Sequence, residues 1–146
     1  MIVGFGRLLL AFGLKSTFKS NSPNFVLCMR NFRNYDIWVN GMDIADMVYK
    51  QTDLFPKYEM YGLSDQLRRA AVSIPSNVAE GCSRTSEAEL SRFLEYSIGS
   101  CFEVETQIEI AKRRGYISEE QYNGLMVDLQ KEEKQLNQFI AKLKAK

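Results

Sequence analysis

The chain has 146 residues, enough for about one domain with a single hydrophobic core. Its hydrophobic content of 45% and charged content of 25% are ordinary for a soluble globular protein, and a net charge of +1 provides no global basic field for nucleic acid. The absence of histidine removes the commonest general base and metal ligand, and it excludes a zinc site built from Cys and His.

Met1 to Cys28 differ in composition from the rest. They carry Arg7, Lys15 and Lys19 and no acid, so 16 basic residues face 18 acidic ones from Met29 onward. Any nucleic-acid contact therefore needs a local patch. The apolar run LLLAFGL (Leu8 to Leu14) is far shorter than the roughly twenty residues that span a bilayer. Arg7 before that run fits a signal peptide, but no small-x-small cleavage site follows it cleanly. Leu27 also stands where a lipoprotein site at Cys28 would want a small residue. Residues 1–28 are read as a non-core extension from an over-long gene start at Met1, with a targeting segment as the alternative. Residues 29–146 are expected to form the domain. Cys28, Cys82 and Cys101 show no CxxC spacing and are read as reduced thiols of a cytosolic protein.

Asp36 to Gln51 reads as a first helix. Trp38, Met42, Ala45 and Tyr49 recur at helical spacing, with Ile37, Gly41, Ile44 and Val48 widening the stripe. Asp36 is its expected N-cap, and Gly41 marks a point of close packing. Phe55 to Gly62 is a connection. A second helix runs from about Leu63 to Glu80, with Ser64 as N-cap and Leu67, Ala70, Ala71, Ile74 and Val78 on a small-residue face. Pro75 is expected to kink or divide it, and Gly81 to end it in a left-handed conformation.

Ser86 and Glu89 form a capping box for the third helix. Leu90, Leu94, Ser97, Cys101, Val104, Ile108 and Ala111 make a coiled-coil-grade seam, and Phe93, Ile98 and Phe102 extend it to a second flank. Such a flank, with Ile110, implies a second helix neighbour or a subunit interface. The helix is expected to reach Arg114 and stop at Gly115. Ser118 and Gln121 cap a fourth helix whose face is Tyr122, Leu125, Met126, Leu129, Leu136, Phe139, Ile140 and Leu143. The run Lys131 to Lys134 reads as solvated surface, although Glu132 falls at a seam position. No strand signal appears, and short connections favour an all-α, antiparallel up-down four-helix bundle.

Little in this pattern carries reaction chemistry. Glu103, Glu105 and Glu109 do not reproduce a di-iron carboxylate pattern, so no metal or other cofactor is expected. Ser73, Ser76 and Ser100 have no histidine partner, and no Gly-rich phosphate loop precedes a helix. Gly99 and Ser100 read as a close-packing notch. Arg68, Arg69, Arg84, Arg92, Lys112, Arg113 and Arg114 would contact phosphates if the bundle gathered them on one face. The competing reading pairs Arg68 or Arg69 with a carboxylate such as Glu80, Glu103 or Glu105, and leaves Lys112 to Arg114 complementing a helix terminus.

The stretch FPKYEMYGLSDQLRRAAVSIPSNVAEG (Phe55 to Gly81), followed by SRTSEAELSRFLEYSIGSCFEVETQ (Ser83 to Gln107), resembles a bacterial family. These are the four-helix bundle proteins encoded in open reading frames of 23S rRNA intervening sequences. The resemblance spans about Phe32 to Leu143. Its motif positions are Arg68, Arg69, Ser73, Pro75, Asn77, Glu80, Gly81, Arg84, Gly99, Ser100 and Glu103, none of them catalytic. The resemblance implies a small cytoplasmic bundle that assembles into a homopentameric ring without enzymatic activity. Related accessory proteins of diversity-generating retroelements share that architecture, bind nucleic acid through a basic surface and partner a reverse transcriptase. This chain departs from them in being net acidic beyond Met29. Two functions follow: a ring associated with RNA or ribonucleoprotein through Arg68, Arg69, Arg84 and Lys112 to Arg114, or an assembly scaffold that binds no nucleic acid. No membrane partner is expected.

Overall fold

A computed structural model describes residues 30–145; the extension read at residues 1–28 lies outside them. Four helices follow in order: α1 (Asp36–Thr52), α2 (Leu63–Cys82), α3 (Glu87–Arg113) and α4 (Glu119–Lys144). Short 3-10 turns occupy Phe32–Asn34 and Lys57–Glu59. No strand occurs among the described residues.

Cross-helix contacts fix the directions. On α1 and α2, Gly41 lies against Ile74 and Pro75 while Thr52 accepts from Arg68. On α2 and α3, Gly81 lies against Leu90 and Phe93, Ser97 Oγ donates to the Ile74 carbonyl, and Ser100 Oγ approaches Ser73 Oγ. Lys112 pairs with Glu119 and Lys144 with Glu95 across α3 and α4. Asn40 bonds Gln135 and Lys131 while Gln51 bonds the Gln121 carbonyl, which closes α1 onto α4. In each pair one residue number rises as the other falls, so all four neighbouring helices are antiparallel around a square.

The core follows the seams. The whole α3 seam from Leu90 to Ala111 is buried, as are Leu125, Leu129, Leu136 and Ile140 of α4. On α1 the stripe is rotated from its expected position. Ile37, Gly41, Ile44, Ala45 and Val48 face inward, whereas Met42 and Tyr49 are exposed and Trp38 is half-buried. Close approach to α2 goes with this rotation: Ile74 and Pro75 lie against Gly41, where an added Cβ would stand a tight 3.2 Å from Ile74 Cγ2. Of the second flank of α3, Phe93 packs against Gly81 and Ile98 against the core, whereas Phe102, 52% exposed, and Ile110 are left uncovered among the described residues.

Three helix ends differ from expectation. Asp36 is the first residue of α1 and not its cap; Tyr35 precedes it without a side-chain cap. Ser64 is buried inside α2, and Glu59 Oε2 caps that helix instead by accepting from the Leu63 N–H at 3.1 Å. Gly81 does not stop α2, which continues to Cys82. Its role is spatial: an added Cβ would stand 2.9 Å from Phe93 Cβ. Ser118 and Gln121 complete a reciprocal capping box as read. At α3 only half of the expected box forms: Ser86 Oγ accepts from the Glu89 N–H, but the Glu89 carboxylate accepts from the Ser86 hydroxyl instead of the backbone. Gly115, at φ 70°, ends α3 in a Schellman arrangement, with Tyr116 N donating to Ala111 O and Gly115 N to Lys112 O.

Pro75 does not divide α2, which is continuous from Leu63 to Cys82. The ring deprives Ala71 of its usual helical donor. Around it, side chains bond back to the backbone: Ser76 Oγ to Val72 O and Asn77 Nδ2 to Ser73 O.

Candidate nucleic-acid interface

The two poles of the bundle hold different basic residues. Arg84 lies just before α3 and Lys112 to Arg114 close it, so 27 helical residues, roughly 40 Å, separate them. Arg68 and Arg69 sit in the first turns of α2, towards the pole where α3 ends. The fold therefore does not gather the predicted cations on one face.

Most of them are also engaged. Arg68 Nε donates to Thr52 Oγ1 at 2.7 Å, its Nη2 pairs with Asp53 at 2.7 Å, and its guanidinium lies over the Tyr49 ring. It ties α2 to the end of α1, and its partner is Asp53, not Glu80, Glu103 or Glu105. Arg69 pairs with Asp65 on the surface. Arg84 pairs with Glu80, stacks on Phe93, and receives Arg30 Nη1 on its carbonyl at 2.7 Å. Lys112 pairs with Glu119, which raises its pKa, and Arg113 pairs with Glu109, which lowers that of the carboxyl. Arg114 has no carboxylate partner among the described residues; its Nε reaches the Tyr116 hydroxyl at 3.5 Å.

The other motif residues form packing contacts. Asn77 Nδ2 donates to both Ser73 O and Ser73 Oγ, and Ser100 Oγ stands 3.0 Å from Ser73 Oγ, a polar bridge between α2 and α3. Glu103 is exposed and accepts from Gln107. Gly99 departs from expectation: it faces outward, and an added Cβ would meet nothing within 4 Å.

At the pole where α1 ends and α2 starts, Glu59 braces the connection. Its Oε1 accepts from the Tyr116 hydroxyl at 3.0 Å while its Oε2 caps α2. The Tyr116 oxygen lies 3.1 Å from the Tyr58 hydroxyl, and that bond, with the nearby Glu59 charge, raises the Tyr116 pKa. Outside this brace Leu54, Tyr58, Met60 and Tyr61 are all exposed.

On the flank, α1 and α2 leave an apolar groove of about 520 Å³, lined by residues that include Phe32, Trp38, Met42, Tyr49, Val72 and Pro75. The sequence model of the 23S rRNA-intervening sequence protein family matches residues 33–138. The chain belongs to that family. A solved structure of a protein of unknown function from the S23 ribosomal protein family of Bacteroides thetaiotaomicron VPI-5482 is 25% identical to this intervening-sequence protein. The similarity covers 71% of this chain and 97% of that one, with a TM-score of 0.65. No curated protein matches the chain significantly.

Two surface features of this intervening-sequence protein are not legible in its sequence pattern. The groove was missed because Trp38, Met42 and Tyr49 keep helical spacing and so resemble a core stripe. The tyrosine pole was missed because Phe55 to Gly62 was treated only as a connection; its density of aromatic residues was the available signal. Among the described residues, no helix is long and apolar enough to cross a membrane, and no group of three or more His, Cys, Asp or Glu is placed to hold a metal ion.

Proposed function

We propose that this family member is a non-enzymatic, cytoplasmic, homo-oligomeric module, pentameric as the family resemblance implies, that associates with RNA or ribonucleoprotein. The observation that supports the assembly is the presence of two uncovered surfaces of complementary shape among the described residues. The α1–α2 groove is concave and apolar, whereas α3 presents Tyr96, Phe102 and Ile110 around the open position of Gly99. A concave surface on one flank and an apolar ridge on another suit a head-to-tail contact, which closes into a ring when the rotation permits. An exposed glycine in mid-helix costs about 1 kcal/mol relative to alanine, and a close-approaching second copy would account for it.

The RNA part is supported by the family's link to rRNA genes and by cations that have no carboxylate partner, Arg92 and Arg114. The paired cations add less, although exposed ion pairs are worth only about 0–1 kcal/mol and exchange readily for phosphate. Native mass spectrometry with and without structured rRNA fragments tests both parts. The expected result is a pentamer that gains mass with RNA. A bare protomer overturns the assembly. A pentamer with no binding at low salt, or with binding indifferent to salt, leaves the scaffold reading.

A further inference from the structure

We propose that the pole carrying Lys57, Tyr58, Tyr61 and Arg114 is a stacking platform for unpaired nucleotides of a single-stranded RNA, an inference that rests on the RNA reading above. Tyr61 is 90% exposed and Tyr58 73%, and both lie on one connection of eight residues, Phe55 to Gly62. Neither ring packs into the core: Tyr61 makes no ring contact among the described residues, and Tyr58 meets Tyr116 edge-on, with centroids 6.5 Å apart and hydroxyls 3.1 Å apart. Nor are they loosely held. Phe55 is buried with its ring 5.4 Å from that of Tyr116, Glu59 N donates to Pro56 O at 2.8 Å, and Gly62 N to Glu59 O at 2.9 Å. Together with the Glu59 carboxylate, these bonds fix the tip from inside, so the rings are presented by a rigid base.

The charges left over select the ligand. Asp53, Glu109 and Glu119 are paired with Arg68, Arg113 and Lys112, and Glu59 is taken by the Leu63 N–H and the Tyr116 hydroxyl. Among the described residues Lys57 and Arg114 have no carboxylate partner; of the acids at this pole, Glu120 has no cation partner, and Glu59, which accepts only from neutral donors, keeps its charge inside the brace. Exposed rings beside free cations fit unpaired bases joined by phosphates: every base has a face to stack, and the cations meet the backbone. A duplex hides its base faces and would not use the rings.

The test is fluorescence anisotropy of the full chain with a labelled single-stranded RNA of about 12 nucleotides, a length typical of such grooves. Tyr61→Ala should weaken binding at least about 5-fold while Tyr61→Phe stays within about 2-fold of wild type, because stacking needs the ring and not the hydroxyl. Lys57→Ala or Arg114→Ala should lower the slope of affinity against salt by about one. Annealing the complementary strand should reduce binding. If wild type binds but Tyr61→Ala and Tyr58→Ala bind equally well, this platform is overturned while the RNA reading stands. If wild type binds neither this strand nor structured rRNA, both fail. A drop in native mass for Tyr61→Ala would assign the pole to assembly and also overturn the platform.

Discussion

Glu132 occupies a place on α4 where a bundle ordinarily puts leucine. It is fully buried, and neither carboxylate oxygen has a hydrogen-bond partner among the described residues. The nearby Asn40 amide is committed to Gln135 and Lys131. Burial disfavours the charged form and pushes its pKa up to about 8, an effect only partly offset by Asn40 and Lys131. The unfolded chain ionises this group near pH 4.5 and the folded chain near 8. Between those values the folded state holds the extra proton, so stability falls as pH rises, by at most about 1.4 kcal/mol per pH unit. Glu132→Gln should flatten this slope in thermal melts from pH 5 to 9; a wild-type slope retained by the variant would show that the carboxyl is not its source. The heptad spacing had placed Glu132 on the seam, but the charges around it, Lys131, Glu133 and Lys134, made the run look solvated. Position in the repeat outweighed local charge. Spacing could not resolve the two arginines either. Arg68 is largely covered and bonds two residues beyond its own helix, so Arg68→Ala should cost about 1–2 kcal/mol. Arg69, 70% exposed beside Asp65, should cost under about 0.5 kcal/mol. Equal losses in chemical denaturation would contradict this division.

The glycines show how far an element can be read in advance. Gly41, Gly81 and Gly99 are all helical, yet only the first two meet a neighbour. Gly81→Ala would force Phe93 and Leu90 aside and should cost about 1–3 kcal/mol. Gly99→Ala should stabilise α3 by up to about 1 kcal/mol within the protomer, while a ring that uses the open position should lose affinity between copies. Melting temperature and native mass moving in opposite directions is the expected pattern; both unchanged would remove Gly99 from the contact. Sequence identifies a residue without a Cβ but not the helix it faces, because facing depends on how the elements rotate against one another. The same limit explains α1. Two adjacent apolar stripes compete there, and the smaller residues of the inner one, Gly41 and Ala45, fit closest to α2. Caps were legible where a serine precedes a helix with Glu or Gln three residues later, as at Ser86 and Ser118. They were not legible where a distant side chain, Glu59, did the capping.

For the molecule as a whole, the class was legible because helix period, short connections and absence of strand signals agree. The outer surface was not, since periodicity counts apolar positions without saying which are covered. Met42 is 45% exposed and lines the groove. If the groove seats a second copy, as proposed, Met42→Lys should lower the native mass towards that of the protomer while circular dichroism stays helical, and an unchanged mass would move the interface elsewhere. The even number of helices has a consequence of its own. The start of α1 and the end of α4 meet at one pole, where Tyr35 packs on Phe139, while the tyrosine-bearing connection lies at the other. Bundles standing side by side in the same sense would give a ring two unlike faces, one displaying tyrosine tips and the other the start of α1 and the end of α4. Such an object has a front and a back. A partner that recognises the tyrosine tips would reach such a ring from one side only.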